Sequence, residues 1–449
     1  MSPQDKTKTR FLRALCLLWI TWLMLGMQPA SAAPRIAVLT TSPVPAGKFE
    51  PLQAMARAHG MTLDARYLER MNAQDIAPFI DGAGLLILDA PRDHIVTEML
   101  AKLGPLWTHA RAPRLLIATD RFEAHGVDNA LGAKLQAYYA NGGRANFDAM
   151  MRTLAAQQFK LRADSTIPAP VVFPKAAYYH PRLASVVTTS PEGALKVSGH
   201  GGEPVIGVAI HQAYVSGLDS AFVDDLIARI EARGARALVF YSGVMEADGV
   251  LRMAAPGGKR IVDVLINAQI MLNAAGRKAE FEALGIPVLQ VMPYRKGDAQ
   301  DWERDPHGIS LTDTPFYLVQ PELAGASDAM LAAATSHKDG SIVSLPAQLD
   351  AVADKALALT RLQRTPNADK RVAILFYNYP AGEKNLSASF LNLPRSLSST
   401  LGALQARATA PTPPMNTRCS ATWVRCSRPS TVLASSRRCS TRIARRGCR

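Results

Sequence analysis

Tyr377, Asn378, Tyr379, Lys384, Asn385 and Asn392 crowd into one stretch, RVAILFYNYPAGEKNLSASFLNLP, from Arg371 to Pro394. One ammonium, three amides and two phenols can pair with a carboxylate and orient polar groups by hydrogen bonds. The elements that must position them are written around them. The apolar run Val372 to Phe376 predicts a buried strand, Pro380 and Gly382 predict a loop, and Pro394 can open a helix. In an open α/β sheet, ligands lie outside the carboxyl ends of the strands, where this loop would sit. A purely structural reading stands beside the binding one: Pro380 and Gly382 shape a turn, and the tyrosine rings pack on it.

Other chemistries are poorly supported. Nine histidines are scattered from His59 to His337, with no H-E-x-x-H and no close pair, so no metal site is expected. His211 ends a predicted strand and His307 lies in a loop, positions that suit hydrogen-bonded or surface residues. Gly257-Gly258-Lys259 lacks the first glycine and the hydroxyl residue of a P-loop, so the chain is not expected to bind ATP itself. A G-x-S-x-G elbow is absent, and no Ser/His/Asp arrangement replaces it.

The net charge of +14 is unevenly spread. Residues 1–32 carry +3 and residues 401–449 carry ten Arg with no Asp, Glu or Lys, leaving the body close to +1. The body therefore offers no electrostatic case for nucleic acid. Cysteines divide likewise: Cys16 precedes the body, and Cys419, Cys426, Cys439 and Cys448 follow it. The body has neither a disulfide nor a thiolate metal site. Residues 1–32 read as a signal peptide, with basic residues to Arg13, an apolar run from Ala14 to Met27, and Ala30-Ser31-Ala32 as the cleavage site. The run is shorter than the roughly 20 residues of a membrane span. Cleavage predicts an exported, periplasmic protein with no span in the mature chain; an uncleaved anchor is the competing reading.

The body reads as α/β. Ile36 to Leu39, Leu85 to Leu88 and Leu115 to Ala118 are continuous apolar runs, as in strands buried on both faces of a parallel sheet. Helical spacing links Leu52, Met55 and Ala56, then Val96, Leu100 and Leu103. Val205 to Ile210, Ala237 to Tyr241, Val262 to Ile266 and Pro287 to Val291 repeat the logic. Asp219 or Ser220 can cap a helix through Phe222, Val223, Leu226, Ile227 and Ile230, with Gly234 at its C′ position. The expected organisation is two successive open, mostly parallel α/β domains, 33–195 and 196–365. The start of a third, truncated α/β region follows at 366–405.

The stretch opening at Arg371 resembles the signature of the large subunits of cobaltochelatase (CobN type) and magnesium chelatase (H type). There a strand of the type VA-[IV]-[LV]-x-YNYPPGxGN runs into LNVPxSL, and this chain departs from it at Ala381 and Lys384. From Pro204 onward, PVIGVAI, VDDLIARIEARGARAL, VDVLINAQ, LGIPVLQV and VQPELAG follow the family's order. The resemblance implies insertion of Co²⁺ into a corrin-type macrocycle in cobalamin synthesis, or of Mg²⁺ into protoporphyrin. The tetrapyrrole and the metal would be substrates, and ATP would act only through separate ATPase subunits. Lys384 would then meet a ring carboxylate. Catalytic residues would lie downstream, so none is named, and this chain alone is expected to be inactive. Export favours two alternatives: an ATP-independent tetrapyrrole dechelatase or metal-handling protein, and a non-catalytic periplasmic tetrapyrrole binder.

After Gln405 the chain becomes Arg, Ser, Thr, Pro and Cys with little apolar periodicity, so 406–449 reads as a disordered tail. With GC-rich codons, Pro414 to Pro429 re-read one base back can give Asp-Glu-His-Ala-Leu-Gln-Arg-Asp-Val-Gly-Ala-Leu-Leu-Ala-Pro, balanced in charge and helical in spacing. A frameshifted end is therefore expected. Genomic DNA read in that frame should stay open with chelatase-like sequence; a stop within a few dozen codons would instead mark a deliberate basic tail.

Overall fold

The computed structural model describes residues 33–42, 44, 46–118, 121–374, 387–388 and 391–407. The signal-peptide reading of 1–32 and nearly all of the Arg-rich tail lie outside them. The chain divides into two compact units, Met1–Leu357 and Ala358–Arg449.

The first unit holds two sheets. In the first, β1 (Arg35–Thr40), β2 (Thr62–Tyr67), β3 (Leu85–Asp89), β4 (Arg114–Ile117) and β5 (Phe122–His125) lie in the order β2-β1-β3-β4-β5. All neighbours are parallel except β4 and β5. Helices α1 (Phe49–Ala58), α2 (Ala73–Ile80), α3 (Asp93–Leu103), α4 (Pro105–Thr108), α5 (Asn129–Asn141) and α6 (Gly143–Thr153) cover it. The continuous runs are explained by burial on both faces. Ile36, Val38, Leu85 and Ile87 pack with Leu52 of α1, Tyr138 of α5 and Met150 of α6. Ala37, Leu39, Leu86 and Leu88 pack with Phe79 of α2, Val96 of α3 and Trp107 of α4.

The second sheet uses β6 (Ala177–Tyr179), β7 (Val187–Thr188), β8 (Val205–Ile210), β9 (Arg236–Tyr241), β10 (Val264–Asn267), β11 (Val288–Tyr294), β12 (Ser327–Thr335) and β13 (Ile342–Ser344). Their order is β13-β12-β11-β10-β8-β9-β6-β7, with β12 to β9 parallel and the outer strands antiparallel. In order, α7 (Pro191–Ser198), α8 (Gln212–Ser216), α9 (Ala221–Ala232), α10 (Gly249–Ala254), α11 (Ala274–Leu284), α12 (Ala299–Arg304) and α13 (Gln320–Ala324) connect the strands, and α14 (Pro346–Arg364) follows β13. Val205, Ala209, Leu238 and Phe240 pack with Met253 of α10 and Phe281 of α11. Helix α9 buries all five residues its spacing predicted, and Gly234 (φ +75°) closes it, with Ala235 N–H donating to Ile230 O. Arg233 then pairs with Asp350 and Asp354 of α14.

Two expectations need correction. The divide between the α/β sheets falls before Ala177, not near 195. Tyr178 pairs across to Phe240 and its hydroxyl donates to Met253 O at 2.9 Å, so β6 and β7 finish the second sheet's edge. The signature strand is also not formed where it begins. Residues 371–374 belong to no strand and Val372 is 67% exposed. A buried strand needs neighbours on a sheet. The described residues of the second unit offer only the hairpin β14 (Ser387–Ala388) and β15 (Leu391–Asn392), leading into α15 (Leu393–Arg407). Among the described residues, no helix is long and apolar enough to cross a membrane.

Candidate functional site

Tyr377, Asn378, Tyr379, Lys384 and Asn385 lie outside the described residues. Asn392 is described, exposed, and occupied with the backbone. Its Oδ1 accepts from Arg395 N–H at 3.0 Å, which caps the amino end of α15. Pro394 sits in the first turn of that helix, as its type predicted. The geometry that is on view lies instead at the carboxyl edges of the two sheets.

Strand order reverses between β1 and β3, and again between β8 and β10. At each reversal the following connections leave in opposite directions, the position at which open α/β sheets form a ligand crevice. At the first, Thr40 ends β1, Asp89 ends β3, and Lys48 stands just before α1. Lys48 Nζ lies 2.6 Å from Asp89 Oδ2, and Tyr139 OH donates to the same oxygen at 2.7 Å. The ammonium also rests 4.5 Å from the centroid of the Tyr139 ring. All three residues are buried, and Thr40 Oγ1 beside the reversal is buried without a hydrogen-bond partner. Burial, followed by the Asp89 charge, pushes the Tyr139 phenol well above its ordinary value. Lys48 is poorly placed for the helix dipole, which disfavours a cation at an amino terminus. The Asp89 carboxylate offsets that cost. The trio holds a proton and a charge pair away from bulk water.

The second reversal is neutral in character. Asn267 Nδ2 donates to Gln290 Oε1 and Gln269 O, and Gln269 Nε2 donates to Ile210 O at 2.7 Å. Gln269 Oε1 and Ser242 Oγ are buried without partners. His211 Nε2 accepts from Ile270 N–H at 2.9 Å, which requires a neutral ring protonated on Nδ1. Burial, then Arg295 nearby, lowers its pKa to about 4, in keeping with that assignment. His211 is the hydrogen-bonded residue its place at a strand end suggested. Arg277 of α11 pairs with Glu280 at 2.5 Å and donates to the carbonyls of Gly243 and Val244, fixing the loop after β9.

The two carboxyl edges meet. A Cβ on Gly47 of the first sheet's loop would lie only 2.7 Å from Asp219 Oδ1, an oxygen that accepts from Ile342 N–H at 3.0 Å within the second sheet's own lobe. Lys338 reaches Glu50 at 3.7 Å across the same contact. Asp219 therefore does not cap α9. Ser220 is the N-cap residue but its hydroxyl serves Tyr179 and Asp224. Burial first pushes the Asp219 carboxyl up to about 6, against the Ile342 hydrogen bond.

One group among the described residues has metal-ligand chemistry. Ligand atoms of Asp298, Asp301 and His337 all lie within 4.8 Å of one another. The two carboxylates are already engaged as the capping box of α12, and His337 is 65% exposed on its side chain. Sequence reasoning looked for paired histidines and passed over an Asp-x-x-Asp joined by a remote imidazole.

With this geometry in hand, likeness to known proteins is informative. The family model described as CobN/Magnesium Chelatase matches residues 136–410. The aerobic cobaltochelatase subunit CobN of Sinorhizobium sp is 29% identical over 268 residues, 55% of this chain and 20% of that one. The H-type chain of magnesium chelatase from Rhodobacter capsulatus is 22% identical over 297 residues, 60% of this chain and 25% of that one. The solved catalytic subunit of cobaltochelatase from Mycobacterium tuberculosis shares the fold with a TM-score of 0.60 at 20% identity, covering 83% of this chain and 31% of that one. This chain thus spans about a fifth to a quarter of the length of these curated relatives.

The buried trio makes a definite stability claim. Lys48→Met leaves Asp89 buried with an uncompensated charge and should cost about 3–5 kcal/mol. Lys48→Met with Asp89→Asn removes both charges and should recover most of that loss. Urea unfolding monitored by circular dichroism checks both. Equal destabilisation by the single and double variants would mean that the ion pair does not organise this edge.

Proposed function

The chain belongs to the CobN/magnesium chelatase family, and from that membership we propose that it takes part in inserting a divalent metal into a tetrapyrrole. The family match over 136–410, which includes the second sheet and the signature stretch, is the observation that carries this reading. Co²⁺ with a corrin-type ring and Mg²⁺ with protoporphyrin are the two substrate pairs it covers. The chemistry asked of such a protein is to hold and distort the ring, strip water from the metal and receive the pyrrole protons. Lys384 would pair with a ring carboxylate while Tyr377, Asn378, Tyr379 and Asn385 orient polar groups; Asn392, whose Oδ1 caps α15, would offer only its Nδ2. ATP would act only through separate ATPase subunits.

The leader supports a second reading. Ala30-Ser31-Ala32 after a short apolar run points to export, and ATP is not available to an exported enzyme in the ordinary way. An exported, ATP-independent dechelatase would run the metal transfer in reverse. Direction of turnover separates the two enzymes, and tight binding with no turnover identifies a non-catalytic binder.

Absorbance and fluorescence titration of the full chain with protoporphyrin and with a metal-free corrin tests the shared premise. Saturable binding is expected. Lys384→Ala should weaken it about ten- to a hundredfold, the equivalent of losing a charge-assisted hydrogen bond of roughly 1.5–3 kcal/mol. Binding of neither ring would overturn the reading. Unchanged affinity in the variant would return the loop to a purely structural role.

A further inference from the structure

The contact between the two carboxyl edges is built from parts that do not favour permanent closure. Leu218 adopts φ +55°, a region strained for a branched side chain, and its side chain packs into the first sheet's core. The next residue, Asp219, is 3% exposed and sits against Gly47 with no cation on its carboxylate. Lys48, the residue after Gly47, is committed to Asp89. Tyr67 from β2, Tyr214 from α8 and Asp339 from the turn before β13 complete the titratable groups facing Asp219, with Lys338 and Glu50 at the rim. None of these neutralises it.

We propose that Asp219 is a protonation-controlled latch: neutral, it holds the two α/β lobes closed over their facing carboxyl edges, and ionised, it releases them. The inference rests on this contact alone and is independent of the tetrapyrrole reading, so either can fail without the other.

The direction follows from the chemistry of a buried carboxyl. In the closed form Asp219 titrates at about 6, against an ordinary value of 3.8 once solvated. Closure is therefore fully favoured below the ordinary value and is lost as pH rises through the closed-form value. The difference corresponds to about a hundredfold in the closed-to-open ratio. Asp219→Asn keeps an oxygen that accepts from Ile342 N–H and removes the charge. Gly47→Ala places a methyl against Asp219 and should hold the contact apart.

Hydrogen–deuterium exchange on the full chain, normalised to intrinsic rates, reads the latch in the amides of the two segments that face each other across the contact, 46–50 and 338–342. From about pH 4 to about pH 8, their protection should fall by up to about a hundredfold, while Val38 and Ile87 in the core stay protected. Asp219→Asn should stay protected throughout, and Gly47→Ala should be poorly protected at every pH. The wild-type profile stands as a test even if either variant fails to fold. A flat wild-type profile, a fall shared by the core amides, or an Asn variant that follows the wild type would each overturn the proposal.

Discussion

A parallel sheet covered by helices on both faces has nowhere to place polar side chains except at the ends of its strands. That constraint governs the five-stranded and eight-stranded sheets of the first unit. Ile36 to Leu39 and Leu85 to Leu88 are buried along their whole length, and the first polar groups appear at Thr40 and Asp89. In the second sheet Val205 to Ile210 are likewise buried, and His211 follows. Because parallel strands share a direction, their carboxyl ends gather on one edge, so chemistry concentrates there without any local sequence motif. Where strand order reverses is the position at which open α/β sheets form a ligand crevice. The two sheets turn these edges toward each other through Gly47 and Asp219, and through Glu50 and Lys338.

The charges at that meeting are handled in two ways. Lys48 and Asp89 are a matched pair with Tyr139 as an extra donor, and such a set tolerates burial because each ion has its counter-charge and hydrogen bonds. Asp219 has one backbone donor and no counter-ion. A carboxylate in that position resists burial by favouring its neutral form, which is why burial pushes it up to about 6. One edge is therefore locked by a pair, and the contact between edges is governed by a single acid.

Much of this framework was legible in the residues. Continuous apolar runs identified β1, β3, β4, β8 and β9, and three-to-four spacing with Gly234 identified α9 and its end. The misses have physical causes. Ser327–Thr335 is rich in alanine, which favours helix, yet β11 and β13 on either side make it a strand. Thr62–Tyr67 is a sheet edge with mostly polar residues and no apolar run to betray it. Ala177–Tyr179 is only three residues long, too short for any period. Lys48 and Asp89 are 41 positions apart and met only through strand pairing; an acid closing an apolar run was the one clue available. Val372 shows the converse: it opens an apolar run read as a buried strand, yet it is exposed and, among the described residues, 372–374 belong to no strand.

Family membership leads to one central proposal: a macrocycle engages the signature stretch of this chain. Exchange footprinting of the full chain with and without protoporphyrin, or with the metal-free corrin if that ring binds, tests it directly. The account predicts new protection across 375–392. Protection confined to residues 33–365, or none despite saturating ring, would contradict it.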